Sequence, residues 1–250
     1  MAINELKKYQ EDAIEKIIGK TKDILKNGEK LNRDEKVIIF KAPTGSGKTF
    51  TMAEYIYQLI KELEDKRETD MCFLWVSIGK GELHKQSYRA LKKFFGPFPS
   101  VCLLEEKYFG SRRTIEDNNV VVVNWEKLRA KDNQTGAWKN VLMKDKETVN
   151  FRELIVNTKK IGSKIIMIID ESHSGATSER ASELRDIIDA DLTIEMSATP
   201  VLVEGKHDSR LVEVPASDVI DQGMIKKEII VNENIDEIAD DEITSQDLVL

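Results

Sequence analysis

The chain has 250 residues, 40% of them hydrophobic and 33% charged, with 13 Gly, 5 Pro and 2 Cys. This is the composition of a globular chain of one or two domains, and it excludes collagen, low-complexity disorder and disulfide scaffolds. Lys and Arg total 38 against 45 Asp and Glu, a formal net charge of −7, which counts against gripping nucleic acid through charge alone and leaves local basic patches open.

In chain order, Leu6–Ile14 reads as an amphipathic helix. Val37–Phe40 is a short β-branched strand, followed by Lys41-Ala42-Pro43-Thr44-Gly45-Ser46-Gly47-Lys48-Thr49 and by a helix over Thr49–Leu63. That helix carries Met52, Tyr55, Ile56, Leu59, Ile60 and Leu63 at the three- and four-residue spacing of one apolar face. Further strands are expected at Phe73–Val76, Val101–Leu104, Val120–Val123, Ile165–Ile169 and Leu192–Met196. Continuous apolar runs of this kind are buried on both faces, which predicts a parallel sheet, and their alternation with helical patterns predicts an α/β fold. Ala130–Val149 is polar and weakly periodic and reads as an insertion or long loop. Past Pro215 the texture changes, and Asn232–Glu242 is acidic with no basic residue, as expected of a segment cut within a longer protein.

The longest aliphatic stretch, Ile165–Ile169, is far short of the roughly 20 apolar residues of a membrane span, and the polar N-terminus has no signal-peptide core. A cytoplasmic protein without a membrane partner is the expectation. Cys72 and Cys102 each sit in an apolar segment and read as reduced, buried thiols acting as small hydrophobes.

The strand, loop and helix around residues 37–63 form the context of a phosphate-binding P-loop. Gly45 and Gly47 let the backbone curl so that successive N–H groups point at phosphate oxygens, and the following helix aims its positive dipole end at the same place. Pro43, Thr44, Gly45, Ser46, Gly47, Lys48 and Thr49 are therefore the candidate nucleotide-binding residues, with Lys48 bridging the terminal phosphates and the Thr49 hydroxyl ligating magnesium. Ala42 stands where the general motif has its first Gly.

Ile165–Ile169 delivers Asp170-Glu171-Ser172-His173 at the carboxyl end of a strand, the edge at which α/β sheets hold ligands. Taken alone, an Asp-Glu pair there also serves as a helix N-cap. Beside a P-loop it points to Asp170 as a second magnesium ligand and to Glu171 as the group that polarises an attacking water. Lys48, Asp170 and Glu171 are the candidate catalytic residues. Leu192–Met196 ends in Ser197-Ala198-Thr199-Pro200, which by itself could be a turn and nothing else.

The P-loop, Asp-Glu-Ser-His and Ser-Ala-Thr-Pro in this order resemble the first motor domain of superfamily 2 helicases and translocases, in the DExH-type branch. Within that branch the chain is most similar to the ATPase subunit of type I and type III restriction enzymes and to related DEAD/DEAH-type restriction helicases. The resemblance covers most of Leu6–Lys227 and implies a P-loop NTPase fold, a RecA-like parallel sheet flanked by helices, with ATP and Mg2+ as ligands. It implies a helicase N-terminal ATP-binding domain over residues 1–227 and, over 228–250, the start of a connection to a second motor domain that carries an arginine finger. Leu6-Lys7-Lys8-Tyr9-Gln10 resembles the family's opening segment, which makes Gln10 a candidate adenine reader. Gly81–Gln86 resembles the family's motif Ia, whose neighbourhood touches the nucleic-acid backbone and makes Ser77, Lys80 and Gln86 candidates, and Val120–Leu128 resembles a later strand-end segment that does the same, with Asn124 and Lys127 as candidates. An ordinary solvated helix start is the competing reading for these five. His173, Ser197 and Thr199 are, by resemblance, the residues that couple the nucleotide site to the strand-binding face. The implied partners are DNA, duplex or single-stranded, the second motor domain and restriction-modification subunits. A nucleotide-gated interaction module without nucleic acid, and an RNA motor, share every motif named. No nuclease motif is present in these residues.

Overall fold

The computed structural model describes residues 5–66, 70–77, 82–104, 113–124, 151–170, 185–200 and 209–226. The expected strands form there as β1 (Val37–Lys41), β2 (Met71–Ser77), β3 (Val101–Leu103), β4 (Val120–Asn124), β5 (Lys164–Asp170) and β6 (Leu192–Ser197), joined by an additional edge strand β7 (Leu211–Glu213). All pairings are parallel, in a seven-stranded sheet of order β3-β4-β2-β5-β6-β1-β7. The α/β class with a parallel sheet flanked by helices is thus as the apolar runs predict. Ala130–Val149, Trp125 and the 228–250 connection lie outside the described residues.

Side-chain alternation along each strand separates two apolar layers. Phe73 and Trp75 of β2, Ile166 and Ile168 of β5 and Leu192, Ile194 and Met196 of β6 face one side. Cys72, Leu74, Val76, Ile165, Met167 and Ile169 face the other. The first layer is covered by α1 (Lys8–Asn27), α2 (Lys48–Lys66) and α3 (Leu83–Phe95). Helix α2 packs against both α1 and α3, while α1 reaches β7, β1 and β6 and α3 reaches β2, β4 and β3, so α2 lies between the other two. The second layer is covered by α4 (Phe151–Lys160) through Phe151, Leu154 and Ile155. A short helix, α5 (Ala216–Asp221), follows β7.

The helix predicted over Thr49–Leu63 buries the face its spacing defines: Met52, Tyr55, Ile56, Leu59, Ile60 and Leu63 are all in the core. Both cysteines are buried as reduced thiols. Burial pushes the Cys72 thiol up to about 12, with the Asp117 and Asp191 charges adding to the rise and a hydrogen bond from Ser163 opposing it. Such a thiol stays protonated near neutral pH and behaves as a hydrophobe.

Helices α1 and α2 are joined by a buried polar contact, Thr21 Oγ1 with the Tyr55 hydroxyl at 2.9 Å, between side chains that are both 0% exposed. Burial also drives the Tyr55 hydroxyl pKa upward, so it remains a protonated partner. Tyr55→Phe leaves the Thr21 hydroxyl buried without this partner and should cost about 1–3 kcal/mol of stability. Adding Thr21→Val removes the stranded group as well, so the double variant should lose less than the sum of the single variants in urea unfolding. Strict additivity would show that the pair contributes nothing as a unit.

Candidate functional site

In parallel pairing, strand ends in register come to one edge of the sheet. Lys41 of β1 is opposite Ser197 of β6, Asp170 of β5 is opposite Met196 of β6, and Ser77 of β2 is opposite both Asp170 and Asn124 of β4. The residues that close the apolar runs in the sequence are therefore neighbours in space. The ladder continues one step past β1, where the Ala42 N–H donates to the Ser197 carbonyl at 3.1 Å. This ties the first loop residue after β1 to the Ser-Ala-Thr segment. The Ser197 side chain is fully buried, and its Oγ accepts the Thr199 N–H at 3.0 Å, holding a turn that leaves Thr199 exposed.

The loop over residues 42–47 has the conformation a phosphate cradle requires. Gly45 and Gly47 have φ of +81° and +80°, a region that L side chains rarely adopt. A Cβ on Gly45 would lie 2.9 Å from Ile225 Cγ2, and one on Gly47 would lie 2.8 Å from Gln10 Nε2. A side chain at either position is therefore disfavoured by the backbone conformation and would displace the Ile225 or Gln10 side chain. The Lys48 ammonium donates to the Ala42 and Pro43 carbonyls, each at 3.2 Å, and its third N–H is available for another acceptor. Gly47 begins the ladder of α2: its carbonyl accepts the Thr51 N–H at 2.9 Å and the Thr51 hydroxyl at 3.2 Å.

A cleft of about 580 Å³ opens at this edge, lined on one side by Thr44, Gly45, Gly47, Lys48 and Thr49, with Asp170 and Ser77 at the strand ends and apolar Phe50, Leu91 and Phe94 behind. The structure thus brings Lys48, Thr49 and Asp170, the predicted phosphate and magnesium groups, into one cavity. An ammonium, a hydroxyl and a carboxylate set around a Gly-lined turn suit a polyphosphate with a hard divalent cation. Asp170 is also braced from the side: the Ser77 hydroxyl donates to Ser87 Oγ at 3.3 Å, and the Ser87 hydroxyl donates to Asp170 Oδ2 at 3.4 Å.

The predicted nucleic-acid residues divide by burial. Gln86 on α3 is exposed. Ser77, 3% exposed, and Asn124, 7% exposed, turn inward, and the Asn124 amide meets His84 Nδ1 at 3.0 Å. Gln10 is 2% exposed, and its amide is already engaged, Oε1 by the Lys7 N–H at 2.9 Å and Nε2 on the Ser46 carbonyl at 3.2 Å. Each amide atom retains one lone pair or one hydrogen for a further partner. Lys80, Lys127, Glu171 and His173 lie outside the described residues. Two residues of this site escape sequence reasoning. No motif in the sequence singles out Ser87, or Tyr9, whose hydroxyl donates to the Ser46 carbonyl at 2.8 Å.

Gly47→Ala should lower the unfolding free energy by about 1–3 kcal/mol, because it imposes a positive φ on a residue with a Cβ and pushes the Gln10 amide from its place beside the loop. Chemical denaturation checks this, and unchanged stability would mean that the loop relaxes freely and is not held in the conformation described.

No curated protein sequence matches the chain. Among solved structures, a variant of S. cerevisiae Dbp5 bound to RNA and ADP BeF3 is similar over 87% of this chain and 52% of that one, at 11% identity and a TM-score of 0.43. The chain therefore spans about half the length of that relative. The family model described as type III restriction enzyme, res subunit, matches residues 3–202, which include the P-loop, the Asp170 strand end and the Ser197 segment. This chain belongs to that family, whose helicase-like ATP-binding domain it carries on the parallel sheet described above.

Proposed function

We propose that the chain is the ATP-binding first motor domain, residues 1–227, of an ATP-dependent DNA helicase or translocase of the restriction-enzyme motor type. The observation that carries this reading is the convergence, in one cleft, of a Gly-lined loop, the Lys48 ammonium, the Thr49 hydroxyl and the Asp170 carboxylate. Loop amides and Lys48 hold the β- and γ-phosphates, while Thr49 and Asp170 are the residues that would hold magnesium. When bound, that ion neutralises charge developing on the phosphate oxygens. Asp170 is oriented for this task by the Ser87 hydroxyl. Glu171, one residue on, polarises the attacking water. Gln10 reads the adenine with the amide hydrogen and lone pair that its protein contacts leave over.

A second motor domain, reached through the 228–250 connection, completes the site in this reading. Its arginine finger supplies the part of transition-state stabilisation that such a group contributes elsewhere, roughly 10³–10⁵ in rate. Closure of the two domains on ATP and reopening after hydrolysis then moves them along a strand. The Ala42–Ser197 backbone bond gives the nucleotide loop a direct mechanical link to the Ser-Ala-Thr segment, through which Ser197 and Thr199, with His173, report nucleotide state to the strand-binding face. Contacts to DNA phosphates come from Lys80, Gln86 and Lys127, with Ser77 and Asn124 fixing the segments that present them. The net charge of −7 suits a motor that touches a few phosphates and leaves grip to restriction-modification subunits. A cytoplasmic location goes with this function. No helix among the described residues is long and apolar enough to cross a membrane.

The test is MgATP titration of the wild-type chain and Lys48→Ala, followed by steady-state hydrolysis with no nucleic acid, duplex DNA or single-stranded RNA. Loss of the lysine should weaken binding by roughly 10- to 100-fold, the worth of charge-assisted hydrogen bonds. The chain alone should turn over negligibly, and the protein that includes a second motor domain should be stimulated by duplex DNA. Unchanged binding by Lys48→Ala refutes the phosphate assignment. Stimulation by RNA alone makes the motor an RNA one, and no stimulation by either makes the protein a nucleotide-gated module.

A further inference from the structure

The Ser46 carbonyl receives two side-chain donors from the start of α1, the Tyr9 hydroxyl at 2.8 Å and Gln10 Nε2 at 3.2 Å. The three residues are buried, with Tyr9 5%, Gln10 2% and Ser46 1% exposed, so water does not compete for this carbonyl. The Ser46–Gly47 peptide is trans, and in a trans peptide the C=O and N–H point in opposite directions. Drawing the carbonyl towards α1 therefore drives the Gly47 N–H away from α1. Helix α1 lies on one flank of α2 and α3 on the other, and Gly47 and α3 both line the cleft. The direction away from α1 is thus the direction of the cleft. The next peptide is fixed from the other side, because the Gly47 carbonyl is bound by the Thr51 N–H and hydroxyl.

We propose that Tyr9 is a positioning residue for phosphate binding: its hydroxyl, with Gln10, holds the Ser46 carbonyl so that the Gly47 amide is presented to the polyphosphate before it arrives. The proposal rests on the nucleotide reading given above and deepens it. It divides the labour of two adjacent residues. Tyr9 acts only on the phosphate side, and Gln10 acts on phosphate through Nε2 and on the base through its remaining groups. Burial raises the Tyr9 pKa, so the hydroxyl stays a donor at neutral and mildly alkaline pH. The contribution is one of preorganisation: an amide already aimed at the ligand loses less freedom when the ligand binds.

The experiment measures affinities of the 250-residue chain for inorganic tripolyphosphate, MgATP and MgGTP, in the wild type and in Tyr9→Phe. Removal of the hydroxyl should weaken tripolyphosphate and MgATP by the same factor, about three- to tenfold, the worth of one hydrogen bond. The ratio of MgATP to MgGTP affinity should not move, and para-aminophenylalanine at position 9, which restores a donor, should recover the loss. A purely structural role would lower thermal stability and leave these affinities alone. Affinities equal to those of the wild type, or a loss for MgATP without one for tripolyphosphate, would overturn the proposal. If Tyr9→Phe does not fold, the wild type decides: on saturation with tripolyphosphate the Gly47 amide resonance should shift while that of Gly28, at the far end of α1, stays in place, and an unmoved Gly47 amide would overturn the assignment. Failure of the underlying reading shows differently, as undiminished MgATP binding by Lys48→Ala.

Discussion

The register of the parallel sheet is the constraint on which the site depends. Because β1 is paired with β6, β6 with β5 and β5 with β2, the ends Lys41, Ser197, Asp170 and Ser77 fall on one edge. A shift of any strand by one residue would exchange its side chains between the two apolar layers, each packed around residues of particular size. Residues such as Trp75, Ile168 and Ile194, all 0% exposed, make that shift costly. The same burial that stabilises the fold therefore sets the alignment of the phosphate loop, the acidic strand end and the Ser-Ala-Thr segment. Chemistry at the edge is positioned by hydrophobic packing well away from it.

Onto this edge the helices add the finer adjustments. Helix α2 begins inside the loop and fixes the Gly47 carbonyl, α1 fixes the Ser46 carbonyl, and α3 braces Asp170 through Ser87. The Thr21–Tyr55 contact in turn joins α1 to α2. The loop is consequently held from two sides and Asp170 from a third, by helices that share one core layer. A polyphosphate site built in this way needs little reorganisation on binding, which is where preorganised dipoles have their largest effect.

Much of this was legible in the sequence, for physical reasons. Strands buried on both faces are continuous apolar runs, so Phe73–Val76 and Ile165–Ile169 stand out, and the structure extends them by one or two residues at each end to Met71–Ser77 and Lys164–Asp170. The loop was legible because Gly is the residue that most readily meets positive φ values such as those at 45 and 47. What escaped was either too short or non-local. Edge strand β7 has three residues with Val212 alone buried among them, too little for periodicity to register. Helix α1 was visible only over Leu6–Ile14, yet it runs on to Asn27. Tyr9 and Ser87 act on Ser46 and Asp170, partners 37 and 83 positions away in the chain, and no local pattern marks a contact of that range.

The central claim is that polyphosphate is held by the loop at the carboxyl edge of β1, between α1 and α3. Amide hydrogen exchange of the chain with and without MgATP tests it most directly. The account predicts slowed exchange at residues 45–49 and at the adjoining strand ends Asp170 and Ser197, with no change at Asn119 and Lys164 on the opposite edge of the sheet. Protection confined to that opposite edge, or none at residues 45–49 with nucleotide bound, would contradict it.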